Sequence, residues 1–245
     1  MKKAPAPVHI GTSGWHYLHW RGPFYPDKLP TSEFLSFYAR RFHTVEINNS
    51  FYRLPLEKTF RQWHDTAPPD FVFAVKASRF ITHMKKLTDP HRTLPPFLDR
   101  VAVLGEKLGP LLFQLPPHWS FHPERLQAFL AALPPSHKYA LEFRDPSWLN
   151  DQAYDLLSQA GAALCIYDFA GRLSPRQVTA PFVYIRLHGP GGPYQGCYDL
   201  PTLRDWAQAI SAWAHQGKEV FCYFDNDEAG FAVLNALTLQ DLLKT

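Results

Sequence analysis

Short apolar runs recur along the chain, and most stop at an ionisable or amide side chain. They begin near Val8, Thr44, Phe71, Leu111, Lys138, Ala162, Phe182 and Val220, and each has the length of a strand. Several are separated by residues at helical spacing. Thr31 or Ser32 is placed to cap a helix with Phe34, Leu35, Tyr38, Ala39 and Phe42 on one face. Leu126, Phe129, Leu130 and Leu133 repeat the pattern after the fourth run, and Leu203, Trp206, Ile210 and Trp213 after the seventh. Alternation of this kind predicts a parallel sheet, and eight units favour closure. The expected class is α/β, a single (β/α)8 TIM-type barrel domain over residues 1–245. Little room and no amphipathic pattern lie between Asp168 and Phe182, so the helix between strands 6 and 7 is expected to be short or missing. A doubly wound open sheet is the runner-up.

Period two sorts the faces of the runs. Val45 and Ile47 leave Glu46 and Asn48 opposite. Val183, Ile185 and Leu187 alternate with Tyr184, Arg186 and His188. Ala74 and Lys76 oppose Phe73 and Val75, while Ala140, Glu142 and Arg144 oppose Leu141 and Phe143. Outer barrel faces pack on helices and must be apolar, so the charged set is expected to point inward at the C-terminal strand ends, where barrels carry their chemistry.

Composition changes this picture little. The 46% hydrophobic and 19% charged content suits a globular domain, and a net charge of +3 permits an anionic ligand without the concentrated basic surface of a nucleic-acid binder. No run reaches a membrane span. Met1-Lys2-Lys3 imitates a signal n-region, but Ala4-Pro5-Ala6-Pro7 follows where an apolar core belongs. Cys165, Cys197 and Cys222 are too few and too scattered for a disulfide framework or a CxxC metal site, so a cytoplasmic protein is expected.

The inward residues suggest roles. Glu46 and Glu142 are the acid–base candidates, His188 a proton shuttle, and Lys76 an electrostatic group or Schiff-base nucleophile. Arg144 and Arg186 suit phosphate or carboxylate. Ser13, Trp15, Asn48, Tyr52, Gln114, Asp225 and Asn226 complete the expected substrate-binding set. The bland alternative is a salt-bridge network that only seals the barrel, with His188 a satisfied core histidine. Glu46, Glu142, Asp168, His188 and Asp225 could supply metal ligands, but three cations share their neighbourhood and no HxH or HExxH spacing occurs, so neither metal nor cofactor is expected.

Two loops stand out. Residues 188–196 are glycine-rich after the seventh strand, a place where barrels hold phosphate, although Pro190 and Pro193 remove two donors; a lid or a plain turn are the alternatives. Ser78 to Leu94 mixes Arg79, Lys85, Lys86 and Arg92 with Phe80, His83 and His91, and reads as a long solvated lid or as a nucleotide or single-strand contact.

Several stretches together resemble the domain-of-unknown-function-72 (YecE-like) family. They are Gly11-Thr12-Ser13-Gly14-Trp15, Gly22-Pro23-Phe24-Tyr25-Pro26, Thr44-Val45-Glu46-Ile47-Asn48 and Phe51-Tyr52-Arg53-Leu54-Pro55, then Phe73-Ala74-Val75-Lys76-Ala77 and Ile81-Thr82-His83. Gly109 to Pro117, Glu142-Phe143-Arg144, Arg186-Leu187-His188-Gly189 and Tyr223-Phe224-Asp225-Asn226-Asp227 continue the set. The resemblance implies a single TIM-type barrel with a polar mouth and supplies no reaction. Many relatives carry Asn where this chain has Asp225.

The expected function is a metal-independent barrel enzyme using carboxylate acid–base chemistry on a small anionic, phosphorylated or sugar-like substrate. Hydrolase, lyase and isomerase chemistries stay open, as does catalysis itself. The alternatives are a noncatalytic protein binding a metabolite or nucleic-acid component, and a metal-assisted phosphoesterase. Nucleic acid is a less favoured partner, a membrane is not expected, and the oligomeric state stays open.

Overall fold

A computed structural model describes residues 4–244. Met1-Lys2-Lys3 lies outside them. The strands are β1 (Val8–Thr12), β2 (Thr44–Ile47), β3 (Val72–Lys76), β4 (Leu108–Gln114), β5 (Tyr139–Glu142), β6 (Ala163–Phe169), β7 (Arg172–Leu173), β8 (Phe182–Leu187) and β9 (Glu219–Phe224). The helices are α1 (Phe34–Tyr38), α2 (Glu57–Thr66), α3 (Pro90–Thr93), α4 (Pro95–Val101), α5 (Pro123–Ala131), α6 (Asp151–Gln159), α7 (Leu200–His215) and α8 (Phe231–Lys244). The hydrogen-bonded strand order is β1-β9-β8-β6-β5-β4-β3-β2, with β7 beside β6. This parallel succession with intervening helices is that of an α/β TIM-type barrel.

The chain divides into two compact units. One takes the chain up to Glu46, then Ile166–Ser174 and everything from Pro181; the other takes Ile47–Cys165 and Pro175–Ala180.

In the first unit β1 pairs in parallel with β9 from Val8↔Val220 to Thr12↔Phe224, and β9 with β8 from Phe182↔Glu219 to Leu187↔Phe224. A bridge between Ser13 and Glu46 continues the pairing from β1 to β2. Every residue of β8 is buried, as expected for a parallel strand covered on both faces. Gly11 permits the close approach of β1 and β2, since a Cβ there would meet the Thr44 carbonyl oxygen at 2.3 Å. Helix α7 starts where Asp199 accepts the Thr202 amide at 2.9 Å, with Pro201 in its first turn, and it buries Leu203, Trp206 and Ile210.

In the second unit β3, β4, β5 and the start of β6 pair in parallel, and the register sets Gln114 opposite Glu142. Pro123 opens α5, whose buried face is Leu126, Phe129 and Leu130; Leu133 falls beyond its end. Asn150 caps α6 by accepting the Ala153 amide at 3.0 Å.

Three local features depart from or sharpen the sequence expectations. Between β6 and β8 there is no helix, only β7 folded back antiparallel on β6. Thr31 and Ser32 cap nothing: they form a 3-10 turn after Pro30, and α1 is five residues long, although Phe42 beyond it is buried. The 78–94 segment is also not an open loop. It folds into a π-helix over Phe80–Met84 and then α3, because Ile81, Thr82, Leu87, Thr93 and Leu94 all reach buried positions.

Candidate functional site

In the first unit, the polar face of β8 builds a buried charge cluster. Tyr184, Arg186 and His188 alternate on one side of the strand, as period two requires, and Arg186 and His188 are wholly buried. Arg186 donates Nε to Glu46 Oε2 at 3.0 Å and Nη2 to Glu46 Oε1 at 2.8 Å, a two-pronged grip on the carboxylate. Glu46 also accepts the Tyr184 hydroxyl at 2.7 Å and the Ser13 hydroxyl. Glu46 thus has four donors on its two oxygens, two of them from Arg186.

The same guanidinium reaches two further partners. Nη2 donates to Asp225 Oδ2 at 2.9 Å, and Nη1 lies 3.2 Å from His188 Nε2. An arginine nitrogen has only protons to give, so Nε2 accepts and Nδ1 carries the ring proton. That proton goes to Asp225 Oδ2 at 3.0 Å. His188 is thereby fixed in one tautomer with both ring nitrogens engaged.

Around this core stand Tyr17, Asp227, Tyr198 and Asp168, the last also a metal-ligand candidate in the sequence. Tyr17 donates its hydroxyl to the Ser13 carbonyl at 2.7 Å; burial first, then the Asp225 charge, drives its pKa well up. Burial pushes Asp227 up to about 6, while Trp20 Nε1 and His19 hold its oxygens. Burial also raises Asp168, against which the Tyr198 hydroxyl lies, and Asp168 Oδ1 is buried without a donor. A sequence signal existed only for Asp227 and Asp168, as carboxylates just past or at strand ends; Tyr17 and Tyr198 sit in loops without a period.

Asn226 and the glycine-rich loop, both expected to bind ligand, are anchored to the scaffold through part of their polar groups, and Asn226 Oδ1 is buried without a donor. Asn226 donates Nδ2 to the Gly196 carbonyl at 2.9 Å and to Asn235 Oδ1 at 2.8 Å, and Asn235 in turn accepts the Tyr198 amide at 3.1 Å. The pair staples the loop that follows β8. In that loop the Gly189 amide donates to the Tyr198 hydroxyl at 2.9 Å, Gly191 to the Gln195 carbonyl at 3.3 Å and Gln195 to the Gly192 carbonyl at 3.1 Å. Gly196 points at the Glu228 carboxylate at 3.4 Å. Three of the loop's amides, those of Gly189, Gly191 and Gln195, are thus spent internally, and that of Gly196 faces a negative charge, which weighs against a phosphate cradle. Gly189 is required there, having a φ of 112° and leaving a Cβ only 2.1 Å from the Gln195 carbonyl oxygen.

The second unit holds a separate cluster at the ends of β3, β4 and β5. Lys76 is buried with its Nζ 4.4 Å from the centre of the Phe51 ring. The Ser50 hydroxyl donates to the Lys76 carbonyl at 2.6 Å. His83 sits edge-on to Phe51, and its pKa is lowered by burial and then by the Lys76 and Arg79 charges. Glu142, wholly buried, forms an ion pair with Arg144 Nε. Two amide oxygens here, Gln114 Oε1 and Asn48 Oδ1, are buried without a donor. Tyr52 stays 73% exposed, touching only the edge of this cluster through its contact with Phe51.

Trp15 and Trp20 are buried in the first unit, and Trp119 and Trp148 are buried together in the second at 4.9 Å between ring centres. All three cysteines are free. Among the described residues, no three His, Cys, Asp or Glu side chains are grouped so as to hold a metal ion, and no helix is long and apolar enough to cross a membrane.

Parallel strands ending in buried charge define a TIM-type barrel protein of the kind that includes many enzymes. The chain belongs to the DUF72 family, described as protein of unknown function DUF72, whose model matches residues 9–245. It is 26% identical over 272 residues to the UPF0759 protein YunF of Bacillus subtilis, covering 96% of this chain and 94% of that one. It is 31% identical over 144 residues to the UPF0759 protein YecE of Escherichia coli K12, covering 58% of this chain and 50% of that one. A crystal structure of a DUF72 family protein from Thermotoga maritima shares 29% identity at a TM-score of 0.88, covering 98% of this chain and all of that one. Likeness extends to enzyme barrels: a glycoside hydrolase family 5 enzyme from Prevotella bryantii matches with a TM-score of 0.53 at 9% identity, which shows a shared fold alone.

Proposed function

We propose that the protein is a barrel enzyme that turns over a small anionic, phosphorylated or sugar-like compound by carboxylate acid–base chemistry, with no step assigned to a metal. Glu142 is the acid–base group. Lys76 and Arg144 hold the anionic part, and Asn48 and Gln114 orient hydroxyls. Glu46 and Arg186 keep the second set of charges, with Asp225 and His188, in place.

The observation that carries this reading is the pairing of Gln114 with Glu142 on adjacent strands, one offering a buried oxygen that lacks a donor and the other a buried carboxylate. A buried acceptor without a donor costs about 1–3 kcal/mol. A hydroxyl-bearing ligand supplies that donor and lies against the carboxylate that moves its proton. The reading takes residues 1–245 as one barrel domain in the cytoplasm, where the three free thiols stay reduced.

The test begins with thermal shifts against sugar phosphates, organic acids and nucleotides. A ligand at a hundredfold excess over Kd adds about 2.7 kcal/mol, roughly 5–10 °C for a chain of this length. Turnover of the hit is then compared with that of Glu142→Gln. Binding retained with turnover lost supports the assignment, whereas full turnover by the variant removes it.

A noncatalytic binding protein is the second reading. It is supported by His188, whose two ring nitrogens are both engaged, by Arg186 and by Asp225. A ligand recovered unchanged after prolonged incubation with the protein decides for it.

A further inference from the structure

The turn Gly192-Pro193-Tyr194-Gln195 is closed by the Gln195 amide donating to the Gly192 carbonyl at 3.1 Å. Proline at its second position and a φ of 66° at Tyr194 make it a type II turn. The third position of such a turn calls for glycine or asparagine, because a Cβ there crowds the backbone. This chain has glycines on either side, at 191, 192 and 196, yet places a tyrosine at the one residue of the turn where a side chain is strained. Its ring does little for the core, being 44% exposed.

What the strain achieves is the position of the ring. Tyr194 stands 5.6 Å from His188 at 81° and 5.8 Å from Phe169 at 79°, and those two rings are themselves 5.5 Å apart at 79°. Three rings are thus mutually perpendicular, like adjoining walls. The residue before Phe169 is Asp168, with its buried, donor-less Oδ1. The loop is held firmly enough to keep this arrangement, by Tyr198 on Gly189 and by Asn226 on Gly196.

We infer that Tyr194 is a ligand-contacting residue whose ring takes the C–H face of a sugar-like ring, with a ligand hydroxyl donating to Asp168 Oδ1. The inference goes beyond the proposed function and concerns the first unit alone. It selects compounds built on a polyhydroxylated ring, because an aromatic face beside a carboxylate acceptor matches that chemistry and a simple organic acid uses neither.

The experiment uses the full chain and two probe sets: neutral methyl glycosides of common hexoses and pentoses, and the corresponding sugar phosphates. Binding is read by saturation-transfer NMR on the sugar C–H protons, alongside melting temperature, for wild type, Tyr194→Gly and Tyr194→Phe. The expected result is saturation of one face of at least one probe and affinity weakened about tenfold or more in Tyr194→Gly. Tyr194→Phe should keep that affinity, and the melting temperature of Tyr194→Gly should be unchanged or higher, since glycine relieves the turn. Three outcomes overturn the inference. They are no transfer to any sugar probe, unchanged affinity in Tyr194→Gly, or a melting temperature lowered by several degrees in that variant, which would make the ring structural. If sugars fail while organic acids or nucleotides bind and Glu142→Gln still abolishes turnover, this inference falls and the proposed function stands.

Discussion

Arg186 and Glu46, 140 residues apart in sequence, meet without solvent contact through two hydrogen bonds of 2.8 and 3.0 Å. A charge in that setting is tolerated only while its counter-charge stays. Glu46→Gln keeps the shape and removes the charge, and it turns an amide NH2 or a neutral oxygen toward the guanidinium. We expect a loss of about 3–5 kcal/mol, or roughly 6–20 °C in melting temperature. Urea unfolding at unchanged slope checks it; a loss under about 1 kcal/mol would show that Asp225 alone suffices for Arg186.

Asp227 gives a pH signature. Burial raises its pKa from an ordinary 3.8 to about 6, so between those values the folded chain keeps a proton that the unfolded chain has released. Its contribution to stability therefore falls as pH rises from 3.8 through 6, and above 6 the folded state carries the full cost of a partly buried charge. Asp227→Asn should be more stable than wild type at pH 7.5, by about 1–2 kcal/mol once solvent screening of a partly exposed group is allowed for. The advantage should disappear below pH 3.8. A variant that is less stable at pH 7.5 would mean that the hydrogen bonds from Trp20 and His19 outweigh burial.

The staple under the loop after β8 is separately testable. Asn235→Ala deprives the Tyr198 amide of its acceptor and Asn226 Nδ2 of one of its two, at a cost of about 2–3 kcal/mol. Hydrogen exchange should quicken at Tyr198 and Gly189, with the amides of β9 protected as before. Uniform loss of protection across the first unit would instead make Asn235 a core residue of the fold.

Which parts of this were legible beforehand follows from periodicity. Tyr184, Arg186 and His188 could be assigned to one face because a strand reverses its side chains at every residue, and the structure brings those three side chains into one network with Glu46. Residues 78–94 looked like a loop because a π-helix has no 3.6-residue signature, so the buried Ile81 and Thr82 gave no repeating pattern. Thr31 and Ser32 carried the right chemistry for a cap, but Pro30 and a 3-10 turn used the space first. Tyr17, Tyr194 and Tyr198 belong to loops, where position depends on contacts distant in sequence.

The Ser13–Glu46 bridge joins β1 to β2, and the Gly14 amide donates to the Glu46 carbonyl at 2.9 Å. The same residue whose backbone zips these strands has the side chain that neutralises Arg186. Unzipping here cannot be a small, local fluctuation, because parting the strands would strip a buried cation of its counter-charge. Breathing of this seam and survival of the charge cluster are one event, and the Gly14 proton is its clock.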